Sequence, residues 1–347
     1  MTNHRRIVAL CAALTLILSV LSGCGSGKKH TATDYTLFDT VTVITGYDSD
    51  RRFDEACEIV LDILTAYHNA SDIYHEYAGI NNACTLNQSA GTEPLEIPDE
   101  LFALLSFGKK VYDTTNGMCN IAMGAVLSQW HECREEALNG GEARLPDDEA
   151  LWEAAEHCKI DDIILDESNG TAYLSDSSMS IDLGAVAKGY AAEQAAEALE
   201  KAGYSGYAVS VGGNIRTVGK KLSESWIAGI QNPDTESEQS YVLRVRTDNA
   251  ALVTSGVYQR NYTVDGVVYH HIISPETLYP KNDFLSVTIL SADSGLADAL
   301  STAVFNMSYG DGLNYVNCMD DAEACWILAD GTICYSDGFA EYIVEED

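Results

Sequence analysis

Apolar side chains recur along the chain with two different periods, and the exchange between them predicts a protein built of helices and hairpins. Over residues 51–69, Phe53, Ala56, Val60, Ile63, Leu64 and Tyr67 keep helical spacing, which predicts an amphipathic helix packed on a sheet. Pro98-Asp99 opens a second helix with Leu101, Leu104, Leu105 and Val111 inward, and Pro146-Asp147 opens a third through Trp152. Residues 161–166 and 171–175 flank Ser168-Asn169-Gly170, the turn chemistry of a hairpin. A strand around Met179–Asp182 leads into a helix over Gly184–Ala202 that Gly203 closes. Strands follow at 207–211, 226–230, 241–247, 258–264, 267–273 and 284–290, with Asp265-Gly266 as a tight turn. A helix at about 294–308, a short one, and strands 324–329 and 332–336 around Asp330-Gly331 complete the series. Helices and hairpins intermix without regular βαβ alternation, so the expected class is α+β with largely antiparallel sheet.

The first residues stand apart from this pattern. A polar, basic start is followed by the apolar run Ile7–Val20 and then Leu21-Ser22-Gly23-Cys24. The run is short for a transmembrane helix and reads as a secretory signal. Its ending resembles the lipobox of bacterial lipoproteins, in which Cys24 is diacylated and becomes the first residue after cleavage. Residues 1–23 are therefore expected to be a signal peptide, 24–33 a lipid-anchored flexible tether, and 34–347 the folded unit. That unit is placed on the extracytoplasmic face of the cell membrane.

Charge narrows the ligands. Asp and Glu number 53 against 20 Lys and Arg, a formal charge of −33, which repels nucleic acid and anionic headgroups. An anionic ligand must be met locally, by backbone amides, single cationic side chains or a metal ion. Of ten cysteines, Cys11 lies in the signal and Cys24 is the lipid site. The other eight contain no CxxC pair, so no zinc site is expected, and most should be buried apolar residues. Pairing among Cys318, Cys325 and Cys334 stays open.

Four constellations carry residue types that chemistry can use. Ser180-Ile181-Asp182-Leu183-Gly184-Ala185-Val186-Ala187-Lys188-Gly189 passes from a strand into a helix, where free amides and the helix dipole suit an anion. Lys188 in the first turn opposes the dipole unless an anion is near, although an ordinary connection has the same form. Val211-Gly212-Gly213-Asn214 allows a backbone to approach a ligand closely, or simply to turn. Tyr269-His270-His271-Ile272-Ile273-Ser274-Pro275 follows Thr254-Ser255-Gly256 and Tyr258. Neighbouring histidines on a strand point to opposite faces, so one faces inward, as a satisfied core residue or a catalytic one. In Ala297-Asp298-Ala299-Leu300-Ser301-Thr302, Asp298 and Thr302 share one helical face. Together they offer oxygens to a hard cation, or form a chance pair on a solvated helix.

In this order and spacing the four resemble the ApbE family of FAD:protein FMN transferases, and the resemblance runs from Phe38-Asp39-Thr40 to the last strand. It implies one ApbE-like, T-fold-like catalytic unit over residues 34–347. Such enzymes bind FAD and Mg²⁺, pass the FMN portion to a Thr or Ser hydroxyl of a target protein, and release AMP. An extracytoplasmic redox protein is the expected acceptor. The resemblance implies metal ligation by the Ala185 carbonyl and the side chains of Asp298 and Thr302. It implies flavin contacts at Phe38, at Tyr77 as an aromatic lid, at Met118, Cys119 and Asn120, and at Asp182, Lys188 and Ile273. His271 matches the catalytic histidine, and His270, on the opposite face, is expected to matter little to the rate.

Three positions depart from the pattern: Cys119-Asn120 stands where many relatives have Phe-Asp, and Ser274 where many have Asp, removing a carboxylate near the base. A divalent ion would offset the charge of a pyrophosphate entering so acidic a chain. Because the nucleophile comes from the partner, no catalytic triad is required, only a group to take its proton. Two other activities share these motifs, a metal-dependent FAD pyrophosphatase that uses water and a non-catalytic flavin-binding lipoprotein. Asp298 and Thr302 argue against simple capture, which needs no metal.

Overall fold

Eight antiparallel strands form the spine of the computed structural model, which describes residues 28–258 and 260–345. In chain order the first half contains β1 (Lys28–Asp34), β2 (Thr42–Asp48), α1 (Asp50–Ser71), α2 (Ala83–Gln88), β3 (Leu95–Glu96), α3 (Asp99–Thr114), α4 (Gly124–Leu138) and α5 (Asp148–Ala155). Next come β4 (Ile163–Asp166), β5 (Thr171–Leu174), α6 (Ala187–Lys201), β6 (Tyr207–Val211), β7 (Asn214–Val218), β8 (Ile227–Gln231), β9 (Tyr241–Arg246) and β10 (Ala251–Gly256). The chain ends with β11 (Asn261–Val264), β12 (Val267–His270), β13 (Phe284–Ser291), α7 (Ser294–Asn306), α8 (Tyr309–Asn317), β14 (Ala322–Leu328) and β15 (Ile333–Tyr335). The main sheet runs β1-β2-β6-β7-β10-β13-β14-β15; β3-β5-β4, β8-β9 and β11-β12 form small sheets of their own. The expected α+β class with antiparallel sheets is the observed one.

The two faces of the main sheet are covered differently. Helices α1, α6 and α7 pack on one face, and their apolar stripes merge with Val209, Val211, Val253 and Ile289 into the main core. On the other face the β8-β9 hairpin and Phe339 close over Ile215, Leu252, Leu290 and Ile327. Covered on both sides, β6 and β7 are buried along their whole length. A satellite core joins α4 and α5 to the β11-β12 hairpin through Val126, Trp130, Leu151, Tyr262 and Leu278. Helix α6 buries Ala187, Ala191, Ala192, Ala195 and Ala196, and these small side chains let α1 and α7 approach its axis closely.

Several expectations need correction. Residues 28–33, read as flexible tether, lie in β1, which pairs antiparallel with β2 from Lys28 opposite Asp48 to Asp34 opposite Thr42. Its Lys28-Lys29-His30 start is the polar facing of an edge strand, a device that discourages further pairing. No strand ladder forms at 179–182; instead, Asn87 clamps the extended Ile181, accepting its N–H at 2.7 Å and donating to its carbonyl at 3.0 Å. The helix predicted from Gly184 begins at Ala187, after a turn. Strand β11 starts at Asn261 rather than 258, and β12 stops at His270 rather than 273. Cys57, Cys84, Cys119, Cys133 and Cys325 are buried, and with Cys158, Cys318 and Cys334 they are free thiols. The signal segment and Cys24 lie outside the described residues. Among those, no helix is long and apolar enough to cross a membrane.

Candidate functional site

The crossing of α6 and α7 is set by a missing side chain. A Cβ placed on Gly189 would stand 2.3 Å from both the Cβ of Asp298 and the carbonyl oxygen of Ser294, so only glycine lets the helices meet there. At the crossing the Gly189 N–H, one of the first-turn donors of α6 that have no partner within the helix, donates to Asp298 Oδ2 at 2.7 Å. Ala185 lies in the turn before α6, and among the described residues its carbonyl accepts no hydrogen bond. Asp298 is only 5% exposed. Burial raises its pKa, against the Lys188 ammonium, the Gly189 amide and the side-chain amide of Asn214, which lower it. Lys188 Nζ stands 3.9 Å from Oδ2 and donates to the Gly184 carbonyl at 2.9 Å. The Asn214 Nδ2, buried at the foot of the Gly212-Gly213 turn, stays near enough to Asp298 to act on its charge but makes no hydrogen bond among the described residues. Half-buried Thr302 follows Asp298 by one turn. Among the described residues no three His, Cys, Asp or Glu side chains gather as a metal cluster. A cation here would therefore rest on one carboxylate with neutral oxygens, a hard donor set that fits magnesium.

The glycine pair takes its turn reading. Gly212 and Gly213 have φ of 60° and 96° between paired Val211 and Asn214, the two-residue hairpin geometry that requires positive φ twice. Ser255 Oγ meets Ser301 Oγ at 2.8 Å, fastening β10 to the helix turn that carries Asp298 and Thr302.

His270 ends β12 and is buried, whereas His271 lies just beyond the strand and is exposed, so the two differ in burial without sharing a strand. Although the residue is exposed, protein packed around it desolvates the imidazole and lowers its pKa, as do Arg260, His270, Lys188 and Arg134. Ser274 resolves one departure from the family pattern. Its Oγ accepts the N–H groups of Glu276 at 3.3 Å and Thr277 at 3.4 Å, so this position caps its own turn rather than addressing the histidine.

Other expected contacts are placed unevenly. Phe38 sits in a left-handed turn with φ of 56°, and its N–H donates to His68 Nδ1 at 3.1 Å. His68 Nε2 meets the Tyr77 hydroxyl at 3.2 Å, and that hydroxyl donates to Asp72 Oδ2 at 2.9 Å. Burial and the bond to Asp72 push the Tyr77 phenol up to about 12. Asp182 Oδ1 caps its own turn by accepting the Gly184 N–H at 2.8 Å. Cys119 faces the main core and Ile273 the satellite core, so either could touch a ligand only through its backbone. The Asn120 amide is engaged at both ends, donating to the Cys158 carbonyl at 3.0 Å and accepting from the Ala122 N–H at 2.9 Å. Met118 and Asn120 line a cavity of about 340 Å³ with Tyr112, Cys158, Pro275 and Leu278. The Asn306 Nδ2 joins the segments, donating to the carbonyls of Met118 at 3.2 Å and Ile273 at 3.4 Å.

The sequence model of the ApbE family matches residues 38–326. The chain belongs to the ApbE family. It is 31% identical over 274 residues to the FAD:protein FMN transferase of Treponema pallidum (strain Nichols), covering 74% of each chain. It is 25% identical over 317 residues to the FAD:protein FMN transferase of Escherichia coli (strain K12), covering 87% of this chain and 86% of that one. The crystal structure of the ApbE protein from Thermotoga maritima superposes with a TM-score of 0.79 at 26% identity, over 92% of this chain and all of that one.

Sequence reasoning passed over part of this ApbE site. Tyr74 is 54% exposed and lies tilted against His131 with ring centroids 5.2 Å apart, so it offers an exposed aromatic surface where Tyr77 is tied down. Arg134 Nη2 donates to His131 Nδ1 at 2.7 Å. Arg134 and Arg260 both act on the titration of Tyr74, His131 and His271, which gathers scarce cations at one cleft. Rarity was the available signal: with 20 basic residues in the chain, each Arg beside a candidate site is informative.

Proposed function

We propose that this chain transfers the FMN portion of FAD to a Thr or Ser hydroxyl of an extracytoplasmic protein, with Mg²⁺ and with release of AMP. The observation that carries the reading is the Gly189 N–H bond that holds the buried Asp298 carboxylate at the start of α6, beside the turn that carries the Ala185 carbonyl. Asp298, Thr302 and that carbonyl would hold Mg²⁺, which when bound offsets pyrophosphate charge and polarises the phosphoryl group under attack. Lys188, Arg134 and Arg260 add positive potential for the phosphates in an otherwise acidic protein. Tyr74, tilted against His131, presents the aromatic surface for a flavin ring. In the reaction the acceptor hydroxyl oxygen bonds to the FMN phosphorus, and the bond from that phosphorus to the bridging oxygen breaks. AMP departs with the bridging oxygen. His271 takes the hydroxyl proton; its lowered pKa keeps the ring neutral and able to accept at physiological pH. The enzyme is anchored through a diacylated Cys24 on the outer face of the membrane, where its acceptor resides. The test mixes purified protein, FAD, Mg²⁺ and candidate redox acceptors and measures acceptor mass and AMP. A gain of one FMN with stoichiometric AMP supports the reading. FMN and AMP without acceptor modification would make the chain a pyrophosphatase, and no turnover would leave it a flavin binder.

A further inference from the structure

The buried histidine beside His271 spends both of its ring nitrogens on the backbone. His270 is 2% exposed at the end of β12. Its Nε2 lies 2.8 Å from the Lys281 carbonyl, and its Nδ1 accepts the Ile272 N–H at 3.2 Å. One neutral tautomer satisfies both, with Nε2–H donating and Nδ1 accepting. The bond to Ile272 reaches two residues along the chain, so the ring closes a small loop whose middle residue is His271.

That loop is fastened to the helix carrying Asp298. The His270 ring packs edge-on against Phe305 of α7 at 5.4 Å. Lys281, whose carbonyl His270 holds, sends its ammonium to the Asn306 carbonyl at the end of the same helix. The Asn306 side chain in turn holds the Ile273 carbonyl at 3.4 Å. We propose that His270 is a positioning residue that fixes the backbone of His271 relative to α7, and hence the proton acceptor relative to the phosphoryl site. This rests on the reading of His271 as the proton acceptor. A general base must lie within hydrogen-bond reach of the proton it takes, and a displacement of about 1 Å can cost on the order of 10²-fold in rate.

Three replacements separate this role from filling space. His270→Phe keeps the volume and the contact with Phe305 but loses both bonds. His270→Asn places an amide oxygen near the position of Nδ1 and keeps the acceptor for Ile272. His270→Gln reaches Lys281 but not Ile272. The probe is FAD with Mg²⁺ and water as nucleophile, read as AMP release, together with the His271 ring signal followed by histidine-labelled NMR. His270→Phe is expected to lower kcat by roughly 10- to 100-fold, to move the His271 signal, and to leave KM for FAD nearly unchanged. His270→Asn and His270→Gln, each keeping one of the two bonds, should each restore part of both and neither all. In a His271→Ala background, His270→Phe should cost nothing further, because residues acting as a unit are not additive. Wild-type rate and signal in His270→Phe, or the same loss in the His271→Ala background, overturns the proposal. A wild-type rate in His271→Ala alone sinks the proton-acceptor reading, whatever the His270 variants do. Melting temperatures accompany each variant, and a rate that merely follows stability counts against positioning.

Discussion

Gly189 and Asp298 touch backbone to side chain, the N–H of one on the carboxylate of the other at 2.7 Å, across the closest approach of α6 and α7. The contact joins a packing requirement to an electrostatic one. Adding a single methyl group there must push α7 away, and overpacking of this kind costs about 1–3 kcal/mol. Gly189→Ala should therefore lower the unfolding midpoint and abolish stabilisation by Mg²⁺. A variant that keeps wild-type melting and wild-type Mg²⁺ response would show that the helices need not meet so closely.

Asp298 allows a sharper metal test. The sequence suggests an accessible helix position, but the carboxylate is buried and its charged form is disfavoured by that burial. Removing it relieves an unfavourable buried charge but strands the buried Gly189 N–H, so the metal-free protein should lose no more than about 1–3 kcal/mol. Ligand binding stabilises the native state by mass action, so Mg²⁺ with FAD should raise the melting temperature of the wild type. The rise should vanish in Asp298→Ala and shrink in Thr302→Val. An undiminished rise in Asp298→Ala moves the metal elsewhere.

The charge state of His271 gives a pH dependence. Its ring is held below the ordinary value of 6.5 by desolvation and then by Arg260 and its other cationic neighbours. A proton acceptor works only when neutral, so activity is lost as pH falls through the folded-state pKa. The acidic limb of kcat/KM should therefore lie below pH 6.5. Arg260→Gln removes one cation, lets the pKa rise and should move the limb upward. A limb that ignores Arg260→Gln belongs to another group.

Membrane attachment is tested at Cys24, whose Leu21-Ser22-Gly23-Cys24 setting calls for lipidation. Two acyl chains give stable anchoring where one is marginal. Cys24→Ala should leave the chain unprocessed or release it from membranes. Membrane-bound protein of unchanged mature size in that variant would refute the assignment.

What the sequence revealed depended on how strongly a local signal opposed its alternatives. Helix α1 announces itself through an apolar stripe from Phe53 to Tyr67, and β11-β12 through Asp265-Gly266. Helix α4 went unseen because no side chain caps its start and its buried stripe is short, limited to Gly124, Val126, Trp130 and Cys133. Strand β1 reads as a linker because an edge strand tolerates lysines. Strands β7 and β10 are brief and gain their order from neighbours distant in sequence. At the site, Asp298 and His271 were legible from their motifs, whereas Tyr74, Arg134 and Arg260 converge only through the fold. Tyr77, equally aromatic in sequence, is bound to His68 and Asp72, a distinction that spacing alone does not carry.

The loop before α6 supplies the last prediction. Ile181 is fully buried, yet outside any strand, so its peptide groups need partners that a sheet would otherwise provide. Asn87 supplies both, its amide oxygen taking the N–H at 2.7 Å and its amide nitrogen meeting the carbonyl at 3.0 Å. The clamp sets the path of Asp182, Gly184 and Ala185, three positions at the mouth of the site. Asn87→Ala strands a buried donor and a buried acceptor at roughly 1–3 kcal/mol each, well above the cost of an ordinary surface change. The urea midpoint should fall accordingly. Freed from its clamp, the loop should also present the Ala185 carbonyl less often in register with Asp298, so KM for FAD and the Mg²⁺ concentration for half-maximal rate should both rise. Urea unfolding and a Mg²⁺ titration of AMP release measure the two effects on one preparation. Lost stability with an unchanged Mg²⁺ requirement would confine Asn87 to holding the fold and separate the loop from the metal.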